Sequence, residues 1–165
     1  MVPKQLLPFV GVGIVVVGIL VAALFWVQRG AHLELEGSIQ KVRTLAVEEA
    51  ASIAVLDFRF VNSADYPFVV RDVTVSLEDW QGQILEGAVV SEVDARRLFQ
   101  YYPRLGQKFN DTLVARTRIA PHQTMDRMIA ARFEIPEKRL PERRRLRIRV
   151  EDVDGPVSEI VENGR

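Results

Sequence analysis

The sequence predicts a mainly β protein: an Ig-like antiparallel β-sandwich of about seven strands with one short helix, preceded by a single transmembrane helix. Three observations predict it. An apolar run extends unbroken from Leu6 to Val27; the hydrophobic pattern from Leu33 onward has a period of two; and Gly- and Pro-centred turn signals cut that pattern into short strands.

The apolar run contains no charged, amide or hydroxyl side chain. At about 1.5 Å per helical residue it reaches about 33 Å, enough for a hydrocarbon core of roughly 30 Å. A cleaved signal peptide would have a shorter apolar core and small residues at its cleavage site. Here the run leaves through Phe25, Trp26, Val27, Gln28 and Arg29, bulky where a peptidase wants small. Trp26 suits the membrane interface, and Pro8 falls in the first turn, where a missing N–H costs little. The expected organisation is a head at 1–5, a transmembrane helix at 6–27, a juxtamembrane linker at 28–37, a β-sandwich at 38–155 and a tail at 156–165. Lys4 precedes the run while Arg29, Lys41 and Arg43 follow it, so the positive-inside rule does not hold the N-terminus inside. A short head before a long domain reads as a signal-anchor, and the domain is expected to be extracytoplasmic.

Within the run, Gly11, Gly18 and Ala22 fall near one helix face, and Gly18 and Ala22 form a small-xxx-small pair. That spacing lets two membrane helices approach closely, so a homodimer through this face is one reading; the plainer one is that Gly and Ala are common in membrane helices.

Composition excludes several function classes. The chain holds 22 Lys and Arg against 22 Asp and Glu, so bulk charge implies no polyanionic partner, and with no glycine-aromatic RNA motif and an extracytoplasmic domain no nucleic acid is expected. With no cysteine, disulfide frameworks, thiolate metal sites and cysteine nucleophiles are out.

Leu33 to Val47 leads into a first strand through Ile39, Val42, Leu45 and Val47. Ala51 to Val61 puts Leu56, Phe58 and Phe60 on one face and Asp57 and Arg59 on the other. Asn62 to Asp65 is turn chemistry, and Phe68 to Glu78 resumes the alternation. Asp79–Gly82 reads as a hairpin turn and Gln83 to Val90 as the returning strand. Ser91 and Asp94 mark a helix start; Ala95, Leu98, Phe99 and Tyr102 follow at helical spacing until Pro103, giving a helix of about 10 residues over the sandwich mouth. Strands are expected again at Phe109–Ile119, Met125–Ile135 and Arg143–Val153, separated by Pro121 and by Pro136 and Pro141.

In this order, Val61-Asn62, Asp79-x-x-Gly82 and the Ile119-Ala-Pro121 turn before Phe133 resemble bacterial FxLYD-type domains. The Tyr66-Pro67-Phe68 turn is similar to the WHy domains of late-embryogenesis-abundant proteins, although their Asn-Pro-Asn triplet is missing, and Pro121-His122 stands where the FxLYD-type domains prefer Pro-Gly. Either resemblance implies a sandwich from Ala51 to Asp154 and no catalytic residue.

The sharpest candidate site is basic: Lys138, Arg139, Arg143, Arg144, Arg145, Arg147 and Arg149. In the last strand Arg145, Arg147 and Arg149 alternate with Leu146, Ile148 and Val150, so they share one sheet face. They form either a surface for a protein partner or lipid headgroups, or a solvated face paired across strands with carboxylates. Glu151 to Gly155 lacks the further ligands of a calcium loop and reads as a turn. His32 and His122 are not placed together, so no metal site and no cofactor is expected. Asn110-Asp-Thr112 is formally a glycosylation sequon. Leu98, Phe99, Tyr101, Tyr102 and Trp80 are expected in the core; exposed, they would mark a partner site.

The expected function is a membrane-anchored, non-enzymatic module for protein interaction or scaffolding at the cell envelope. The alternative is a carrier of a small apolar or lipid-like ligand between the sheets, gated by the Ser91–Tyr102 helix and requiring a sizeable apolar cavity.

Overall fold

The structure, a computed structural model, describes residues 17–19, 21 and 35–163. The chain divides into two units, residues 1–32 and 33–165. In the first, Val17, Gly18, Ile19 and Val21 are helical and exposed. The rest of the expected 6–27 span lies outside the described residues, together with Gly11, Ala22, Trp26 and His32. Among the described residues no helix is long and apolar enough to cross a membrane.

The second unit is built from eight antiparallel strands and one α-helix. In chain order they are β1 (Leu35–Glu48), β2 (Ala51–Asn62), β3 (Phe68–Glu78), β4 (Ile84–Val89), α1 (Glu92–Tyr101), β5 (Arg118–Ile119), β6 (Thr124–Phe133), β7 (Arg145–Asp152) and β8 (Val157–Asn163). The pairing order is β1-β2-β6-β4-β3-β7-β8, with β5 beside β3. Strand β4 makes the corner: Ile84 to Gly87 pair with β3, while Ala88 and Val89 pair with β6. Without β5, this is the A-B-E-D and C-F-G order of a constant-type Ig sandwich.

One core joins the two halves. Leu56, Phe58 and Phe60 from β2 and Ile129, Ala131 and Phe133 from β6 cluster with Phe68, Val75 and Leu77 from β3, Ile148 and Val150 from β7, and Ile160 from β8. The alternation in β2 therefore points the expected residues inward. Strand β2 is nonetheless buried along both faces, because a second cluster forms on its outer side. There Ala95, Leu98 and Phe99 of α1 pack with Leu45, Ile53, Val55, Met128 and Ala130. The helix thus covers a sheet face rather than the sandwich mouth. The face is apolar enough to need cover, and Ser91 ends β4's extension directly beside it: Val90 N–H donates to Ala130 O, and Asp94 N–H to the Ser91 hydroxyl.

The structure changes two boundaries and one strand. Residues 156–165, expected as a tail, contain β8, in which Ser158 and Ile160 turn inward; β1 opens at Leu35, inside the expected linker. Of Phe109–Ile119 only Arg118 and Ile119 form a strand. This segment crosses between the sheets and makes a pair of bonds to each, Leu113 N–H to Met128 O with Met128 N–H to Asp111 O, and Arg116 N–H to Val70 O with Val70 N–H to Thr117 O, so it follows neither edge for long.

The turns carry the expected chemistry. Gly82 (φ 82°) closes the β3–β4 hairpin and Gly155 (φ 102°) the β7–β8 hairpin. Asn62, fully buried, ties two turns together: its side-chain amide donates to Tyr66 O at 2.7 Å and to Ala120 O at 3.3 Å while its Oδ1 accepts from Ala64 N–H.

Candidate functional site

The two outer faces of the sandwich differ. Across β1, β2 and β6 the outside is covered by α1 and by the connection that follows it. No described element covers the outer face of β4, β3, β7 and β8, and there the register lays side chains in rows. One row runs Ile84, Glu78, Arg145; the next runs Glu86, Ser76, Arg147, Val161; a third runs Thr74, Arg149, Glu159.

Arg145, Arg147 and Arg149 therefore do share one face, opposite the fully buried Leu146, Ile148 and Val150. Their charges are only partly answered. Arg147 Nε lies 3.4 Å from Glu159 and Arg145 Nη1 lies 3.9 Å from Glu78, distances of ion pairs with weak or no hydrogen bonding. The Nε–H groups of both arginines are buried without a hydrogen-bond partner. Arg149 is exposed, and no ion pair holds it among the described residues. Around them Ile84 is 59% exposed on β4, Val157 and Val161 are exposed at the opposite edge on β8, and a shallow groove of about 440 Å³ runs from Ile84 and Glu86 to Arg149 and Glu159. The neighbouring basic residues behave differently: Arg143 donates to Glu162 and to Leu140 O, and Arg144 donates to Glu78.

The other candidates resolve into structural parts. Asp152 is buried, accepting from Val69 N–H and Asp154 N–H, so the acidic stretch before Gly155 is a turn. No group of three or more metal-ligating residues occurs among the described residues. His122 sits in a turn at 3.0 Å from Asp65. Asn110 donates its amide to Asp57 at 2.9 Å, so the sequon nitrogen is engaged in holding the fold. Of the aromatic set, Leu98 and Phe99 are half-buried, but Tyr101 (76%), Trp80 (62%) and Tyr102 are exposed. Tyr101 ends α1, turned away from the buried Ala95, and Trp80 sits at a hairpin tip. Periodicity identified the apolar spacing but not which residues the short helix turns outward.

A bidentate pair crosses β2 and β6 on the far side: Arg59 Nε to Asp126 Oδ1 at 2.7 Å and Nη2 to Oδ2 at 2.8 Å. Hydrogen bonding by Arg59 holds the Asp126 carboxyl below its ordinary range. A carboxyl lowered by folding stabilises the fold above its unfolded pKa of about 4, and that contribution disappears as pH falls through the folded value. The urea midpoint of Asp126→Asn should sit below that of the unsubstituted protein by a constant small margin from pH 7 to 5, and the margin should close below pH ~4. A margin unchanged at pH 3 would show that the pair adds nothing through its charge.

No family model matches the chain, and no curated protein matches it. Two solved structures are similar in fold. One is the archaellum periplasmic stator protein complex FlaF and FlaG from Sulfolobus acidocaldarius, at 11% identity over 76% of this chain and 87% of that one, with a TM-score of 0.34. The other is an uncharacterised β-sandwich protein from Clostridium difficile 630, at 10% identity over 79% and 86%, with a TM-score of 0.40. At these scores neither carries an argument about this chain.

Proposed function

We propose that this protein is a non-enzymatic interaction module, anchored by Leu6–Val27 with its sandwich outside the cytoplasm, that docks a protein partner on the outer face of β4, β3, β7 and β8. The observation that carries this reading is that Arg145 and Arg147 are held only by loose ion pairs, at 3.9 and 3.4 Å, and Arg149 is exposed with no ion pair among the described residues, on an uncovered sheet face that also offers Ile84, Val157 and Val161. Loosely paired guanidinium groups on a face with exposed aliphatic side chains suit a partner that supplies carboxylates or carbonyl oxygens and a small apolar contact. Tethering would raise the effective concentration of such a surface near membrane partners. The non-enzymatic part rests on the sequence, which has no cysteine and only two histidines. The FxLYD and WHy resemblance agrees with it, implying no catalytic residue. A homodimer through Gly11, Gly18 and Ala22 is a separate element of the proposal, resting on their helical spacing in the sequence.

The carrier alternative has less support. Between the sheets stand Phe58, Phe60, Phe68 and Phe133, each no more than 1% exposed, where a ligand would need room.

The test is the triple substitution of Arg145, Arg147 and Arg149 to Gln in the full-length protein. It should leave the thermal unfolding midpoint within a few degrees and abolish co-purification of a specific partner from solubilised membranes. The unsubstituted complex should weaken as salt is raised, since exposed charges are screened over about 8 Å at physiological ionic strength. A triple variant that keeps every interaction overturns the proposal; one that fails to fold assigns the arginines to the sheet itself.

A further inference from the structure

At the end of the sandwich where β3 turns into β4, the hairpin tip and the segment after β6 enclose a second cleft, of about 160 Å³. Its floor is apolar, with Leu77 and Ile135, and Trp80 stands at its wall. Asp79 lines it, only 8% exposed. One carboxylate oxygen is spent on the turn: Oδ1 accepts from Gln81 N–H and Gln83 N–H, both at 2.9 Å. The other, Oδ2, is buried and accepts no hydrogen bond. Arg139 lies over it with Nη2 3.8 Å away, too far to donate, and its side chain is half exposed. Glu142 adds a second carboxylate at the rim.

A buried carboxylate oxygen without a donor is costly, and natural structures seldom leave one idle. The arginine supplies charge without the bond. We propose that this cleft is a binding site for a primary ammonium group, whether from a free alkylamine or from the lysine side chain of a partner. The ammonium donates to Asp79 Oδ2, its alkyl stem lies on Leu77 and Ile135, and the Trp80 ring flanks the charge. Arg139 swings toward solvent as the ligand enters, so it competes with the ligand rather than holding it. The site is separate from the arginine face and does not rest on the docking role given to that face.

The experiment uses the full chain in a non-ionic detergent with Trp26→Phe, which leaves Trp80 as the sole tryptophan reporter. Its fluorescence is titrated with n-butylammonium chloride, with n-butanol and with sodium chloride at equal ionic strength, and with an end-blocked Gly-Lys-Gly peptide. A saturable response to the ammonium probes and none to butanol or salt is expected. Asp79→Asn keeps the Oδ1 acceptor and hence the turn, and should weaken binding about tenfold or more, as loss of a charge-assisted hydrogen bond does. Arg139→Ala should tighten it. A peptide bound more tightly than butylammonium identifies the source as a partner's lysine; equal affinity identifies a free amine. The proposal is overturned if Asp79→Asn binds as the parent does, or if neither probe gives a saturable response even with Arg139→Ala.

Discussion

Asp57→Ala should cost about 3–5 kcal/mol of stability, the range for breaking a buried ion pair on one side only. Asp57 meets Arg43 at 2.6 Å, with both side chains less than a tenth exposed. Arg43 also donates through Nη1 to Leu105 O and Gln107 O, each at 2.8 Å, while Asn110 donates to the other Asp57 oxygen. The rings of Phe99 and Phe109 lie against its guanidinium, at 4.8 and 5.6 Å to their centroids. The pair is thus the rivet by which β1 and β2 hold α1 and the connection after it. Removing the carboxylate strands a buried cation and frees Asn110. The urea midpoint should fall, and amide exchange should accelerate first in residues 102–113. Combining Arg43→Met with Asp57→Ala should recover part of the loss, because no uncompensated charge remains. A midpoint shift worth less than about 1 kcal/mol, the scale of a surface pair, would mean that water reaches the site.

Gly37→Ala should be the most damaging single-methyl change in the sandwich. A Cβ built at Gly37 would lie 2.6 Å from Arg59 O and 2.8 Å from Phe60 Cβ, both fixed by the β1–β2 ladder. No side-chain rotation relieves either contact, so β1 itself must lift. Overpacking of this kind costs about 1–3 kcal/mol. Lifting β1 should also disturb the bond from Leu35 N–H to the Ser158 hydroxyl, which brings β1 against β8. Thermal unfolding of the variant checks this. A midpoint equal to the parent's would show that β1 has slack the geometry does not suggest.

Sequence reasoning succeeded where side-chain alternation alone decides the outcome. Phe58 and Phe60 point inward in β2, Leu146, Ile148 and Val150 do so in β7, and the intervening arginines must then face out. It also found the Ser91 cap and the Asp79–Gly82 turn, whose signals are local. It failed where a residue's environment is set by something distant in the chain. Asp57 has the look of a solvent-facing residue, and it is buried against Asn110 and against Arg43, which the Leu105 and Gln107 carbonyls hold in place. Strand β8 was missed because Val157–Asn163 is short and polar, and its pairing with β7 supplies what its own hydrophobicity does not. The Asp79 cleft was equally invisible, since Asp79 and Arg139 lie sixty residues apart and meet only through the fold. Of the arginine face, period two gave the shared side; the absence of cover over it is a fact of the tertiary structure.

The central claim is that the outer face of β4, β3, β7 and β8 is where a protein partner sits. Site-specific photo-crosslinking in intact membranes tests it most directly, with the photoreactive residue placed in turn at Ile84 and Val161 on that face, at Val93 on α1 and at Tyr66 in the β2–β3 turn, all exposed positions. The account predicts one discrete crosslinked species from Ile84 and Val161, lost when Arg145, Arg147 and Arg149 are replaced by Gln, and none from Val93 or Tyr66. Crosslinks from Val93 or Tyr66 with none from Ile84 and Val161 would contradict it.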